Sequence, residues 1–224
     1  MFRRRSMVRT AVLLTAAVMW TREATGQAAA TAAATPAPAL RDVWRFTAAV
    51  GPWAARNALV IAPSGNSTSL GGGTAFTVDL GYDVTQRVAV YGGGLAVFSH
   101  VSPGAALRDD ITSASDRATV LGVTGGLLVS VPGGLLGRLE PTLRIGGGLK
   151  GYRFDLGEGT NQWQPMGDFG VGLRGGPGGP LEVHVEARYL ASTIDQAKLP
   201  TRGIVPQVQR QGDLLLTVGL SLRP

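Results

Sequence analysis

The residues best suited to chemistry lie between Leu181 and Ser192, in the sequence LEVHVEARYLAS. Four ionisable side chains occur there at every second position: Glu182, His184, Glu186 and Arg188. A histidine and a carboxylate on one face could take part in acyl transfer if a serine supplied the nucleophile. The same groups could instead pair with opposite charges from neighbouring segments. Which of the two applies depends on the element that holds them.

The residues between these four are apolar, so the segment alternates with a period of two. Alternate side chains of a β-strand point to opposite faces. One face is therefore apolar and the other ionisable. A half-buried soluble sheet would place the charges in water. A closed barrel in a bilayer would place them in its lumen, with the apolar row against acyl chains.

The N-terminus has the three parts of an export signal. A basic start precedes the apolar run Ala11–Trp20, and small residues follow. The run is about half the length that a membrane-spanning helix needs. We therefore predict a cleaved signal peptide over residues 1–27, a flexible segment over 28–42, and one β-barrel domain over 43–223.

Charge and composition exclude several classes of protein. Residues 1–27 contain five Arg and one Glu, which is +4 of the formal net charge of +6, so the exported chain keeps +2. No basic cluster remains that would bind nucleic acid. The chain has no cysteine and two histidines, which excludes disulfides and thiolate sites and disfavours a metal centre. We predict no metal and no cofactor.

Alternation and turn signals predict eight strands, joined by connections that run long, short, long, short, long, short, long. Pro52 is predicted to end the first strand. The apolar piece Ala58–Ala62 either extends that strand or forms a small one of its own. The lipid-facing side of the third strand is left open, because both of its faces are apolar or glycine. The predicted strands are 43–51, 73–83, 87–99, 118–131, 138–154, 166–175, 181–192 and 212–223.

Glycine makes up 33 of the 224 residues. Much of it falls inside predicted strands, at Gly92–Gly94, Gly125–Gly126 and Gly146–Gly148. Glycine weakens an isolated strand, but in a narrow barrel it permits tight coiling and leaves room for long inward side chains. The alternative is that these runs are loops, which would shorten two strands below membrane length. We predict that they lie in strands.

An export signal, eight amphipathic strands and alternating connections are typical of membrane barrels with short periplasmic turns and long extracellular loops. A soluble up-and-down barrel has no comparable reason to keep its long loops at one end. Over about 43–223 the chain resembles the small eight-stranded outer-membrane barrels of the OmpA and OmpX type. It departs from them at Leu222-Arg223-Pro224, where they usually have an aromatic residue. The resemblance implies an all-β, antiparallel up-and-down transmembrane barrel in the outer membrane.

The inward face of this barrel is predicted to carry a network of ion pairs. An eight-stranded lumen is only wide enough for side chains to fill it, and an unpaired buried charge is costly. Opposite charges should therefore interlock and plug the lumen; the alternative is a narrow, porin-like path for small solutes. The predicted network is Asp79, Arg144, Lys150, Asp168, Arg174, Glu182, His184, Glu186 and Arg188.

Aromatic residues near predicted strand ends suggest the two interface belts of a membrane barrel. The alternative is ordinary packing in a soluble sheet. The predicted membrane-interface aromatics are Trp44, Phe46, Trp53, Tyr82, Phe169 and Tyr189.

These features predict a non-enzymatic outer-membrane barrel that stabilises the envelope or presents its loops to a partner that the sequence does not identify. Some barrels of this size modify lipids, and the deacylases among them carry a His-x-Ser pair on one strand. Here the corresponding residues are His184, Val185 and Glu186, which do not match, so a lipid-modifying enzyme is the weaker alternative. We expect outer-membrane lipid and the barrel-assembly machinery as partners, no nucleic acid, and a monomer.

Overall fold

The computed structural model describes residues 43–57, 60–61, 67–102, 117–131, 139–154, 161–176, 180–198 and 208–223. The predicted signal peptide (1–27) and flexible segment (28–42) lie outside these residues. Within the described ranges, no helix is long and apolar enough to cross a membrane.

The described residues form ten strands and one short 3-10 turn at Gln196–Lys198. Eight of the strands have 11 to 16 residues, and β2 and β3 are short. In chain order the strands are β1 (Trp44–Ala55), β2 (Val60–Ile61), β3 (Ser67–Leu70), β4 (Gly73–Asp83), β5 (Val88–Ser102), β6 (Arg117–Ser130), β7 (Leu139–Phe154), β8 (Gln162–Gly175), β9 (Leu181–Asp195) and β10 (Val208–Leu222).

The eight long strands form a closed barrel. Each pairs antiparallel with its neighbours in the order β5-β4-β1-β10-β9-β8-β7-β6, and pairing of β5 with β6 closes the ring. Consecutive long strands are adjacent, so the topology is up-and-down. The predicted fold class is confirmed.

The two ends of the barrel differ in their connections. The turn end, as we call it, carries 84–87, 131–138 and 176–180, together with the start of β1 and the end of β10. The loop end carries 56–72, 103–116, 155–161 and 196–207. Three of the loop-end connections are long, as predicted. The fourth, 155–161, is no longer than 131–138, so the alternation in length is not strict.

Strand β9 shows how the wall is oriented. Val183 and Val185 are 49% and 38% exposed, whereas His184, Glu186 and Arg188 are buried. The same polarity holds in β10, where Leu214, Leu216, Val218, Leu220 and Leu222 all face outward. The outer wall is therefore an apolar band and the charges lie within, as period-two alternation predicts.

Strand β1 continues past Pro52, and the predicted end of this strand is wrong. β1 runs to Ala55, and Pro52 still pairs with Thr74 of β4. On the β10 side the register has no partner for Gly51 or Pro52, which fits a residue that has no N–H to donate. Of the apolar piece 58–62, Val60–Ile61 forms β2, which pairs with β3; its other residues lie outside those described.

The glycine runs lie within strands β5, β6 and β7, as predicted. Close approach of neighbouring backbones requires glycine at several of these positions, and Gly148 and Gly126 are two examples. A β-carbon on Gly148 would collide with the carbonyl oxygen of Val123, and one on Gly126 with that of Ile145. Neighbouring backbones therefore approach here more closely than a side chain allows, which helps the wall to coil tightly.

Candidate functional site

Arg144 of β7 is the centre of a buried ion network in the lumen. Its Nε donates to Glu186 of β9 at 2.8 Å, and its Nη2 donates to Asp79 of β4 at 2.7 Å. A third carboxylate, that of Asp168, lies 3.7 Å from Nη1. The guanidinium also lies over the ring of Tyr91, 4.1 Å from its centroid. One arginine thus bridges strands that lie across the lumen from one another.

Arg188 of β9 completes this central network. Its Nε and Nη2 donate to the two oxygens of Asp168 at 3.1 and 2.6 Å, a bidentate pair. Tyr91 donates its hydroxyl to the same carboxylate at 2.9 Å, and Thr124 accepts from Arg188 at 3.5 Å. Charge-assisted bidentate bonds of this kind are the strongest class of side-chain hydrogen bond.

A second group of charges lies nearer the turn end than the central network. We call it the turn-end cluster, and it consists of Arg45, Asp83, Glu140, Arg174, Glu182 and Arg223. Arg45 donates to Asp83 at 3.0 Å, and Arg174 donates to Glu140 at 2.5 Å. The Nε of Arg174 lies 3.3 Å from Glu182. The last member of the turn-end cluster is Arg223, whose Nη2 lies 3.6 Å from the carboxylate of Asp83. Strands β1, β4, β7, β8 and β9 therefore meet here through opposite charges.

Towards the loop end the lumen changes character. Lys150 donates to Asp213 at 2.7 Å, and both side chains are fully buried. Most of the buried residues around this pair are apolar, and the buried polar side chains among them include Gln162, Gln196 and Gln211. The loop-end core, as we call it, consists of Trp53, Leu70, Ala75, Leu95, Val97, Val101, Ala118, Val120, Tyr152, Phe154, Met166, Leu190, Ile194 and Leu215.

All nine residues of the predicted network face the lumen, and eight of them belong to three separate groups. Asp79, Arg144, Asp168, Glu186 and Arg188 form the central network. Arg174 and Glu182 belong to the turn-end cluster, Lys150 pairs with Asp213, and His184 is buried between the two larger groups. Residues that the prediction omits are Arg45, Asp83, Tyr91, Glu140, Asp213 and Arg223.

Signals for some of the omitted residues are present in the sequence. Arg45 lies on the same polar face of its predicted strand as Thr47, and Asp213 on the same face as Thr217. Tyr91 lies on β5, whose faces the sequence does not distinguish. The structure turns Ala89, Tyr91 and Val97 inward and Phe98 outward.

Five of the six predicted interface aromatics lie on the outer wall. Trp44 and Tyr82 pack together at the turn end, with ring centroids 5.0 Å apart, and Phe46 and Tyr189 are also exposed outward. Phe169 and its cross-strand partner Tyr189 face outward but lie in the middle of β8 and β9 rather than at strand ends, because β8 begins at Gln162 and β9 runs to Asp195.

Trp53 is the exception, and its predicted place at the interface is wrong. It is 2% exposed and belongs to the loop-end core. Because β1 continues through Pro52, Trp53 keeps the inward parity of Arg45, Thr47 and Ala49.

Both of the β9 groups that the sequence suggests for acyl transfer are buried in the lumen. The carboxylate of Glu186 is engaged by Arg144, and His184 is only 6% exposed inside the lumen. Among the described residues, no three His, Cys, Asp or Glu side chains are grouped so as to hold a metal ion. What the geometry does provide is cross-bracing between strands that are not adjacent: Arg144 links β7 to β4 and β9, and Lys150 links β7 to β10.

A closed eight-stranded barrel with an apolar wall and ion pairs inside has the fold of the small outer-membrane β-barrels. The crystal structure of Neisserial surface protein A (NspA) is similar, with a TM-score of 0.53 and 13% identity over 80% of this chain and 96% of that one. A solid-state NMR structure of outer membrane protein AlkL in DMPC lipid bilayers gives a TM-score of 0.48 and 19% identity over 92% and 97% of the two chains. The crystal structure of Ail, the attachment invasion locus protein of Yersinia pestis, gives a TM-score of 0.40 and 12% identity over 80% of this chain and 98% of that one.

At these identities the likeness is one of fold. No protein-family model matches the sequence, and no curated protein matches it.

Proposed function

We propose that the protein is an outer-membrane barrel with a closed lumen, which stabilises the cell envelope or presents its loop-end connections outside the cell. The observation that carries this proposal is the polarity of the wall. Apolar side chains cover the outside of all eight long strands, and the central network lies within. Hydrocarbon is the surroundings that such a wall fits. The turn end would then face the periplasm.

A charge placed on the outer wall tests the membrane location. Val218 lies at the middle of the outward row of β10 and is 54% exposed. We expect Val218→Arg to cost about 2–4 kcal/mol of folding free energy in lipid vesicles, the cost of an arginine at the bilayer midplane. Urea unfolding of the barrel refolded into vesicles, followed by heat-modifiable gel migration, measures it.

Val208→Arg is the matched control, because Val208 is 69% exposed at the loop end of the same strand. Near the interface an arginine costs only about 0–1 kcal/mol. If Val218→Arg is as mild as Val208→Arg, the wall does not lie in hydrocarbon and the outer-membrane proposal fails.

The packed lumen predicts that the barrel does not conduct. The central network and the loop-end core fill successive levels of the interior, and residues such as Val97 and Val120 are fully buried. We expect no channel steps in planar bilayers, with insertion verified by heat-modifiable migration of protein recovered from the same vesicles. Reproducible ohmic steps would instead support a narrow porin-like channel.

We infer a non-enzymatic role on the same grounds. The engagement of Glu186 by Arg144 and the burial of His184 leave no exposed nucleophile–base pair on β9. Mass spectrometry of envelope lipids from cells with and without the protein tests this inference. A lipid product that appears only with the protein and persists in His184→Ala would show an enzyme whose site lies elsewhere. One that is lost in His184→Ala would restore the lumen histidine as a catalytic residue.

A further inference from the structure

A cavity of about 30 Å³ separates the central network from the turn-end cluster. By this measure a water molecule needs roughly 10–15 Å³. The cavity therefore has space for about two water-sized groups and excludes most organic ligands. The polar residues that line it include Arg45, Asp79, Thr142, Arg144, Arg174 and His184.

Five buried polar atoms on residues of this lining have no hydrogen-bond partner among the described residues. They are Nη1 and Nε of Arg174, Nε of Arg45, Oγ1 of Thr142 and Nδ1 of His184. Arg174, Thr142 and His184 are 5%, 2% and 6% exposed, respectively. A buried donor that lacks an acceptor costs free energy comparable to a lost hydrogen bond, and more when it is charged. The arginine N–H and the threonine hydroxyl both require an acceptor.

Within Arg174, only Nη2 is hydrogen-bonded. It donates to Glu140 at 2.5 Å and to Ser130 at 3.0 Å, whereas Nε lies 3.3 Å from Glu182 without a hydrogen bond and Nη1 has no partner among the described residues. The Nε of Arg45 also has no hydrogen bond among the described residues, and lies 3.9 Å from Glu182.

The charge around the cavity is predominantly positive. Arg45, Arg144 and Arg174 line it, against a single carboxylate, Asp79, which is itself bonded to Arg144. The acids of the turn-end cluster do not line it. Their side chains are also more exposed than those of the arginines: 20% for Asp83 and 43% for Glu140, against 5% for Arg45 and 6% for Arg174. The cations therefore lie deeper than the acids that pair with them.

We propose that this cavity binds a small monovalent anion, chloride in the cell, held by Nη1 of Arg174 and the hydroxyl of Thr142 beside Arg45. An anion supplies the acceptor that these donors require, in a cavity whose lining contains three guanidinium groups and one carboxylate. It would also tie the turn-end cluster to the central network.

Crystals of the refolded barrel grown in sodium bromide test the proposal, because bromide replaces chloride and scatters anomalously. We expect an anomalous peak in the cavity, within hydrogen-bonding distance of Arg174 and Thr142. Thr142→Val keeps the volume but removes the hydroxyl, and should reduce the bromide occupancy several-fold. Thr124→Val is the control: Thr124 is an equally buried lumen threonine that accepts from Arg188, and its loss should leave the peak unchanged.

A stability measurement tests the same site in solution. At a bromide concentration about 20 times the dissociation constant, linkage predicts a roughly 20-fold higher ratio of folded to unfolded protein. Urea unfolding in sodium bromide and in sodium gluconate at equal ionic strength should show this difference for the unmodified protein and Thr124→Val, but not for Thr142→Val. A cavity that contains only water, bromide found only on the surface, or a halide effect that Thr142→Val leaves intact would each overturn the proposal.

Discussion

Arg144→Leu is expected to destabilise the barrel by about 3–5 kcal/mol, the cost of removing one partner from a buried ion pair. The loss is large because the carboxylates of Asp79 and Glu186 both accept from this arginine, and both are buried. Leucine fills part of the volume but leaves two negative charges facing each other across the lumen. Urea unfolding in lipid vesicles, compared with the unmodified protein, measures the change.

Arg153→Leu is the matched control for this experiment. Arg153 lies on the same strand, β7, but is exposed on the outer side near the loop end. Surface substitutions of this kind usually stay within about 0.5 kcal/mol. A second variant, Arg144→Leu combined with Glu186→Gln, should recover part of the lost stability because it removes one of the two carboxylates left unpaired. If Arg144→Leu is as mild as Arg153→Leu, the central network does not brace the barrel.

Breaking the Lys150–Asp213 pair should have an effect of similar size, again about 3–5 kcal/mol for Lys150→Met or Asp213→Leu alone. Both side chains are fully buried and 2.7 Å apart, and the loop-end core around them offers little other compensation. The double variant should be much less destabilised than the sum of the two, since apolar residues can replace a buried ion pair at little or no cost. A double-mutant cycle measured by urea unfolding gives the coupling free energy.

Gln211 and Tyr152 also contact the pair, so the cost of each single substitution includes their contacts. Gln211 donates to Asp213 at 3.4 Å, and the Tyr152 ring lies 4.9 Å from the Lys150 ammonium. Asp213→Leu therefore also removes the acceptor of Gln211. A coupling free energy near zero would mean that these neighbours, rather than the ion pair, determine the cost of each single change.

The sequence predicts the fold well because polar and apolar residues alternate within each strand, and this pattern can be seen without knowing which strands pair. In β9, His184, Glu186 and Arg188 alternate with valine and alanine, so the inward face follows from parity alone. The lumen network follows for the same reason. The individual contacts do not follow, because the choice of Asp79 and Glu186 as partners of Arg144 depends on the stagger between strands far apart in the sequence.

Where both faces of a strand are apolar, parity gives no signal. Leu95, Val97 and Phe98 of β5 are all hydrophobic, yet the first two fill the loop-end core and the third faces outward. Pro52 misleads for another reason: proline cannot donate to the ladder, but β1 tolerates it where the β10 register has a gap. Trp53 then falls on the inward side, against its predicted place at the interface.

The division of the lumen into an ionic half and an apolar half has a consequence for how such a chain could enter a bilayer. A strand that crosses with its loop end leading would present hydrophobic groups on both sides to the lipid tails, as at Leu190 and Ile194 beside Tyr189. Arg144 lies in the trailing half of β7, and Asp168 and Arg188 lie at the midpoints of β8 and β9, so these charges follow the loop-end residues of their strands. The charges of the central network thus leave water later than the loop-end core, whereas Lys150 and Asp213 cross with the leading half.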